Sequence, residues 1–330
     1  MVYLGLASIL ITSLVQGAFS LHDDGTTITV KEGEASVFAY RYIPGKKPVF
    51  VPERYKRACY IHPLYGLDGE ILTQDFPLDH FHHRGVFWAW PDSTLGERKL
   101  DVWALDGARA VHSKWLVREA DDIRAELAVE NLWVYDDAPE NPVVKEQVRM
   151  LVHPAEQNHR NIDFELTFQN ISHEVFTLRG SGTDNKGYGG FCLRPDASRA
   201  PFLFTSRQGE CAEDVLELES PWADISYAVA PDSETFSGMS IFQNPQNPGY
   251  PHSGWILRHY GFLGQSWPHT KSHVMQPGDS FTLCYRLYIH RGKAGAAAVE
   301  NAFQDYEKES TTKQIMKICT ANRWYANFFL

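Results

Sequence analysis

Four runs of alternating apolar and polar residues restrict what this chain can fold into. Ile123, Ala125, Leu127 and Val129 fall on one side of an extended backbone; so do Val144, Val148, Met150 and Val152, then Ile162, Phe164, Leu166 and Phe168, and near the end Phe281, Leu283, Tyr285, Leu287 and Ile289. Lys145, Gln147 and Arg149, and then Asp163, Glu165 and Thr167, fill the other side. Strand side chains point to alternate faces, so this period of two predicts antiparallel strands with one face in a core and one in water. Gly-, Pro-, Asn- and Asp-rich stretches at 136–142, 244–249 and 276–279 supply turns.

Shorter segments extend the pattern. Residues 27–30 and 35–42 flank a polar turn with Gly33 and predict a hairpin, and 58–65 and 86–90 read as further strands. Only 294–309 carries a helical stripe, through Ala298, Ala302, Phe303 and Tyr306, and the strand before it predicts a helix closing over a sheet edge or outer face. Residues 310–330 show no pattern and read as a peripheral tail. The 330 residues, 43% of them hydrophobic, suffice for one large core. The expected class is therefore all-β: a large antiparallel β-sandwich over 21–309 with one C-terminal helix.

The first twenty residues are apolar from Tyr3 to about Phe19 and end in small side chains, resembling an export signal cleaved near Ala18 to Leu21, although no Lys or Arg precedes them. No later stretch is long and apolar enough to cross a bilayer, so the mature chain is expected to be secreted or periplasmic, without membrane insertion. A formal charge of −10 argues against nucleic acid or an anionic membrane as partner, since both require a basic footprint. The five cysteines are widely spaced without C-x-x-C, which excludes a zinc ribbon or a dense disulfide framework and leaves at most one bridge open; Cys192 and Cys284 read as buried thiols.

The chemistry concentrates at 79–92, where Asp79, His80, His82, His83 and Arg84 precede two tryptophans in a loop feeding the strand at 86–90. In an extended backbone His80 and His82 share a side and His83 turns away. Such a pair can hold a single divalent metal together with a carboxylate, or His82 and His83 can act as acid and base with Asp79 as orienter, or the imidazoles can simply bond a surface loop. Three more segments have polar tips at strand ends: Lys186 and Tyr188 before Gly189-Gly190, Arg258 with Tyr260, and His290 off one core face. These are expected to meet the 79–84 loop in one pocket, with Arg84 and Arg258 as the foremost donors to ligand oxygens. Fourteen His, fifteen Tyr and nine Trp suit a small polar ring such as a sugar or oligosaccharide. The chain lacks G-x-S-x-G, a Walker loop, a dinucleotide fingerprint and an evident catalytic carboxylate pair.

An ordered set of segments carries a family resemblance: D-H-x-H-H-R, I-D-F-E-L-T-F, D-N-K-G-Y-G-G-F-x-L-R, N-P-x-x-P-x-Y-P-x-x-x-W-x-x-R-x-Y-G and P-G-x-S-x-x-x-x-Y-R-L-x-x-H-R-G. Together, from about Pro48 to Arg291, they resemble the PmoA-like domain family of secreted bacterial proteins, often labelled "methane oxygenase". The resemblance implies one sandwich domain similar to the galactose-mutarotase-like supersandwich, without a settled activity, in the genomic company of sugar-degrading enzymes. The methane label conflicts with the physics, because a membrane oxygenase subunit needs several apolar spans. Relatives often place a further His after the motif's aromatics where this chain has Ala89-Trp90-Pro91-Asp92, which removes a possible metal ligand. The expected function is a carbohydrate-active enzyme of hydrolase, lyase or epimerase type, or alternatively a non-catalytic sugar-binding module, with no cofactor or one divalent metal.

Overall fold

In the computed structural model, which describes residues 17–326, the alternating runs become adjacent strands of a nine-stranded sheet. Its order is Gly209–Cys211, Leu203–Ser206, Trp222–Ala228, Phe236–Gln243, Ser280–Arg291, His159–Asn170, Val144–Val152, Ala125–Tyr135 and Ala108–Ala120. The register matches the apolar positions: Val148 pairs with Leu166 and Val129, and Phe164 with Tyr285. An eight-stranded sheet faces it, ordered Phe19–Asp23, Thr27–Glu32, Ala35–Arg41, Tyr60–Leu64, Val86–Ala89, Gly190–Leu193, Phe262–Gln265 and Trp255–Arg258. Ser272–Met275, Phe176–Arg179, Ser93–Leu95 and Arg98–Leu100 form a smaller third sheet. The strand ladders are antiparallel, and the predicted hairpin turns at Gly33, whose φ of +57° suits a residue without Cβ.

Aromatic rings join the two large sheets. Phe191 of the eight-stranded sheet lies 4.9 Å from Tyr285 and 5.0 Å from Phe164 of the other, and its neighbour Trp88 also approaches Phe164. Such contacts supply much of the burial that holds a sandwich together. Of the four alternating runs only Ile123 departs from expectation: it is exposed in the turn before its strand. Glu146 is also unexpected. It takes an inward position between Val144 and Val148, fully buried, where Asn131 and the Trp133 indole donate to its carboxylate at 2.7 and 2.8 Å.

The helix runs Ala296–Ala326, so the segment expected as a patternless tail continues it; nothing from 296 to 326 is Gly or Pro, and the chain has no reason to stop. Val299, Phe303 and Tyr306 pack on Trp222 and Phe242, on the outer face of the nine-stranded sheet. Ala298, expected in the stripe, faces out. The expected export signal falls mostly on residues outside those described, while Phe19 and Ser20 already belong to a strand and Phe19 is buried. Among the described residues no helix is long and apolar enough to cross a membrane. Cys192 is buried, as expected, and burial pushes its thiol well up; Cys284 is only half-buried.

Candidate functional site

The loop before Val86–Ala89 is not extended. His80 N–H donates to the Pro77 carbonyl and His83 N–H to the His80 carbonyl, two successive turns that bring residues three apart together. His80 and His83 therefore stack, with ring centres 4.6 Å apart and planes 5° off parallel, while His82 meets both edge-on. The expected side-sharing of His80 and His82 is thereby corrected. Strand alternation sets the floor beneath: Trp88 and Phe191 face the inter-sheet core, so Phe87, Cys192 and Phe262 face outward. Trp103, His83 and Tyr188 cover that outward face, with Trp103 5.2 Å from Phe87 and Tyr188 5.5 Å from Phe262.

Tyr260 stacks on His80 at 5.2 Å. Its hydroxyl is hydrogen-bonded to Tyr188, which accepts a 2.8 Å bond from Arg258 Nη1. Arg258 Nε donates to Asp214, which also receives the His259 N–H. The expected union of the 79–84 loop with Tyr188, Arg258 and Tyr260 is thus present in the fold. Two expected members lie elsewhere. Lys186 holds Asp184 in its own turn at 2.9 Å. His290 sits on the outer face of the nine-stranded sheet, across the whole core from His80, with Nε2 2.8 Å from Asp224. Its strand end was legible in the sequence, but which of two outer faces it would join was not.

Arg84 also departs from its expected role. Buried completely, it donates from Nη1 to the Phe81 and His83 carbonyls and from Nη2 to the Tyr55 carbonyl, and its Nε lies 3.1 Å from Asp75. With Nη1 and Nη2 bonded to three carbonyls it staples the loop, while Nε, close to Asp75, makes no hydrogen bond. A second wholly buried guanidinium is one the sequence reading passed over, Arg194, although it closes the quoted D-N-K-G-Y-G-G-F-x-L-R segment. Its backbone pairs with Gly85, and its Nη2 donates to both Asp79 oxygens at 2.6 and 2.8 Å. Its Nε and Nη1 are buried without a partner. Arg57, also passed over, lies buried over Phe87 with Nε and Nη1 likewise unpartnered. Native interiors rarely leave such groups unsatisfied, and those that remain call for an explanation.

Electrostatics separates the histidines. Burial, reinforced by the charges of His80, Arg57 and Arg84, lowers His82 to about 3, and burial with His82 and His80 beside it sends His83 well down. Both are neutral near pH 7, poor proton donors and weak bases. Burial works against ionising Asp79, but the Arg194 and His80 contacts outweigh it and hold the carboxyl below its usual range. Asp79 accordingly serves His80, whose Nδ1 lies 3.0 Å from its Oδ2, rather than orienting His82 or His83 as expected. His80 is also the more open ring, with 37% of its side chain exposed. Among the described residues no three His, Cys, Asp or Glu side chains gather to hold a metal ion, so the expected His80 and His82 pair gains no third ligand. A groove of about 600 Å³ near Leu95, Arg98 and Tyr135 shares no residue with this cluster.

A family model described as "Family of unknown function (DUF6807)" matches residues 27–304. No curated protein matches the chain in sequence. Among solved structures, a GH36 alpha-galactosidase, AgaA, from Geobacillus stearothermophilus in complex with raffinose aligns at 10% identity and a TM-score of 0.36, over 84% of this chain and 41% of that one. Heparan sulfate lyase HepC from Pedobacter heparinus aligns at 10% identity and 0.36, over 88% and 38%. A putative kojibiose phosphorylase from the human microbiome aligns at 8% and 0.35, over 88% and 33%. This chain spans less than half the length of each.

Proposed function

We propose that this chain, which belongs to the DUF6807 family of unknown function, is a secreted or periplasmic carbohydrate-active enzyme whose acid/base group is His80, oriented by Asp79. The observation that carries the reading is the contrast within the cluster: one ring is partly open and held by a carboxylate, beside two neutral buried rings and a guanidinium with unused donors. With Nδ1 toward Asp79, Nε2 is left to take or give a substrate proton, the work that hydrolase, lyase and epimerase reactions on sugars share. Tyr260 stacked on His80, and Tyr55 and Phe50 near Phe81, give flat apolar surfaces of the kind that hold sugar faces. Kinship with the PmoA-like proteins is part of this proposal.

The test is a turnover and binding screen of the full chain against glycosides and 3-keto-glycosides, run in parallel on wild type and His80→Gln. Turnover lost in the variant while binding persists is the expected result. Binding without turnover of any sugar class by the wild type replaces the enzyme with a sugar-binding module, and the absence of both ends the carbohydrate reading.

A further inference from the structure

Two neighbouring turns expose apolar corners beside the candidate site. Val49 and Phe50 are the corner residues of a turn closed by the Val51 N–H on the Pro48 carbonyl, and they are 98% and 63% exposed. Leu78, 77% exposed, is a corner of the turn that the His80 N–H closes on Pro77. The two loops touch, with the Phe81 ring centre 6.1 Å from that of Phe50 and 5.8 Å from that of Tyr55. Turn corners are ordinarily Gly, Pro, Asn, Asp or Ser; single apolar side chains on a surface are normal, but adjacent ones held outward together mark a contact surface. The core makes no use of these. Val51, 1% exposed, anchors the turn, and Pro44, Pro48 and Pro52 restrict the backbone that presents it.

The charge around these corners is opposite to that of the chain. The chain has 41 Asp and Glu against 31 Lys and Arg, a sum that argues against an anionic membrane as partner when the charge is evenly spread. It is not evenly spread. Lys46, Lys47, Arg54 and Lys56 flank the Val49–Phe50 turn with Glu53 as the one acid among them, shared by Lys47 at 3.3 Å and by Lys56. Lys46 and Arg54 are exposed and have no carboxylate partner among the described residues; Arg54 donates to the Tyr55 hydroxyl at 2.7 Å and lies over that ring. Asp79, the acid next to Leu78, is spent on Arg194 and His80. Apolar side chains at a tip, with cations and a tyrosine just behind them, suit hydrocarbon at a headgroup boundary backed by phosphates. A protruding corner needs a matching pocket in a protein partner, whereas a bilayer yields to its shape.

We infer that these corners form a docking surface for an anionic lipid bilayer, in which Val49, Phe50 and Leu78 enter the headgroup boundary while Lys46 and Arg54 meet lipid phosphates. The acidic remainder of the protein is repelled, which orients the chain on this rim. Leu78 and Phe81 share their loop with His80, so docking sets the candidate site against the headgroups. The inference goes beyond the carbohydrate reading and does not depend on it.

Flotation of the full chain with vesicles, in the absence of any sugar, tests it by comparing pure phosphatidylcholine with phosphatidylcholine in which about a third of the lipid is phosphatidylglycerol. The first twenty residues carry no charged side chain and add equally to both, so the readout is the excess bound to the anionic vesicles. An excess is expected at low salt and is expected to vanish at high salt. Val49→Ser with Phe50→Ser, both at exposed positions, should leave the thermal melt unchanged and cut the excess by at least about tenfold. Lys46→Gln with Arg54→Gln should abolish the preference for phosphatidylglycerol. Equal binding of the wild type to both vesicles, or none to either, overturns the inference and needs no variant to fold. An excess that survives in the folded Val49→Ser, Phe50→Ser chain overturns it too. A wild-type dimer that this double variant converts to monomer, without vesicle binding, makes the corners a seat for a second copy instead. Turnover enters none of these outcomes, so the carbohydrate reading stands or falls on its own screen.

Discussion

Two buried histidine settings, one on each outer face of the sandwich, use the same side chain to opposite ends. At His290 everything is completed. Asp224 accepts from Ser226 at 2.7 Å and Ser240 at 2.6 Å and meets the imidazole at 2.8 Å, while the Ala294 N–H leading into the helix donates to Ser226. Gly238 makes the room, since a Cβ there would stand 2.4 Å from the His290 ring. At His82 and His83 the imidazoles are neutral, His83 Nδ1 has no partner, and neighbouring guanidinium groups are left open. A finished network fixes a fold, whereas each unsatisfied group of an unfinished one calls for an explanation.

Exchanging the two roles by mutation gives the largest expected contrast. His80→Gln should lower turnover by about 100-fold or more while stability stays within about 1 kcal/mol, because its ring is partly exposed. His290→Gln should do the reverse, leaving Asp224 buried without its counter-charge at a cost of about 3–5 kcal/mol, with turnover per folded molecule unchanged. Urea melts beside initial rates decide it; equal loss of rate in both variants would erase the distinction. Arg84→Ala should destabilise by about 3 kcal/mol, since it strips donors from three loop carbonyls. A loss below about 1 kcal/mol contradicts the stapling role.

Acidity separates the two settings more gently. An unfolded histidine gains its proton near 6.5, whereas His82 resists protonation down to about 3, so the unfolded chain binds more protons and stability falls as pH drops below 6.5. At His290, burial disfavours the charged form but the Asp224 carboxylate outweighs it and raises the pKa. Its stabilisation is complete below 6.5 and is lost as pH climbs through the raised value. His82→Gln should flatten the acid limb of a stability profile, and Asp224→Asn the alkaline one; an unaltered profile in either variant refutes the corresponding assignment. The smallest effect concerns export. Phe19 is buried and its N–H donates to the Asp121 carbonyl, so processing that spares the first strand falls right after Ala18. Mass spectrometry of exported protein should find Phe19 first; an intact Met1 on soluble protein would falsify export.

The sheets were legible because period-two alternation is a local property, and Val144 to Val152 or Ile162 to Phe168 could adopt no other face. The site was only half legible for the same reason. That Asp79, His80, Tyr188, Arg258 and Tyr260 converge followed from polar tips at strand ends, but the turns at Pro77 and His80 that stack His80 on His83 depend on Arg84 binding the carbonyls of Tyr55, Phe81 and His83, a contact reaching 29 residues back. Arg194 was passed over because it ends an apolar strand, where an arginine looks like an ordinary rim residue. Its orphaned nitrogens appear only once every neighbour is placed.

Glu146 has a bearing on assembly as well as on the finished core. Its carboxylate takes donors from Asn131 and Trp133 on the adjoining strand and from Trp88 of the opposite sheet, and Asn131 also bonds Tyr40 across the gap. If Val144–Val152 paired one residue out of step, Glu146 would turn to water, Lys145 and Gln147 would enter the core, and the Trp133 indole would lose its acceptor. Apolar strands tolerate mispairing because one aliphatic contact resembles another. A lone carboxylate with three donors from two strands does not, so this residue ties the sandwich to a single alignment and penalises the slipped, aggregation-prone pairings open to so many long antiparallel strands during folding.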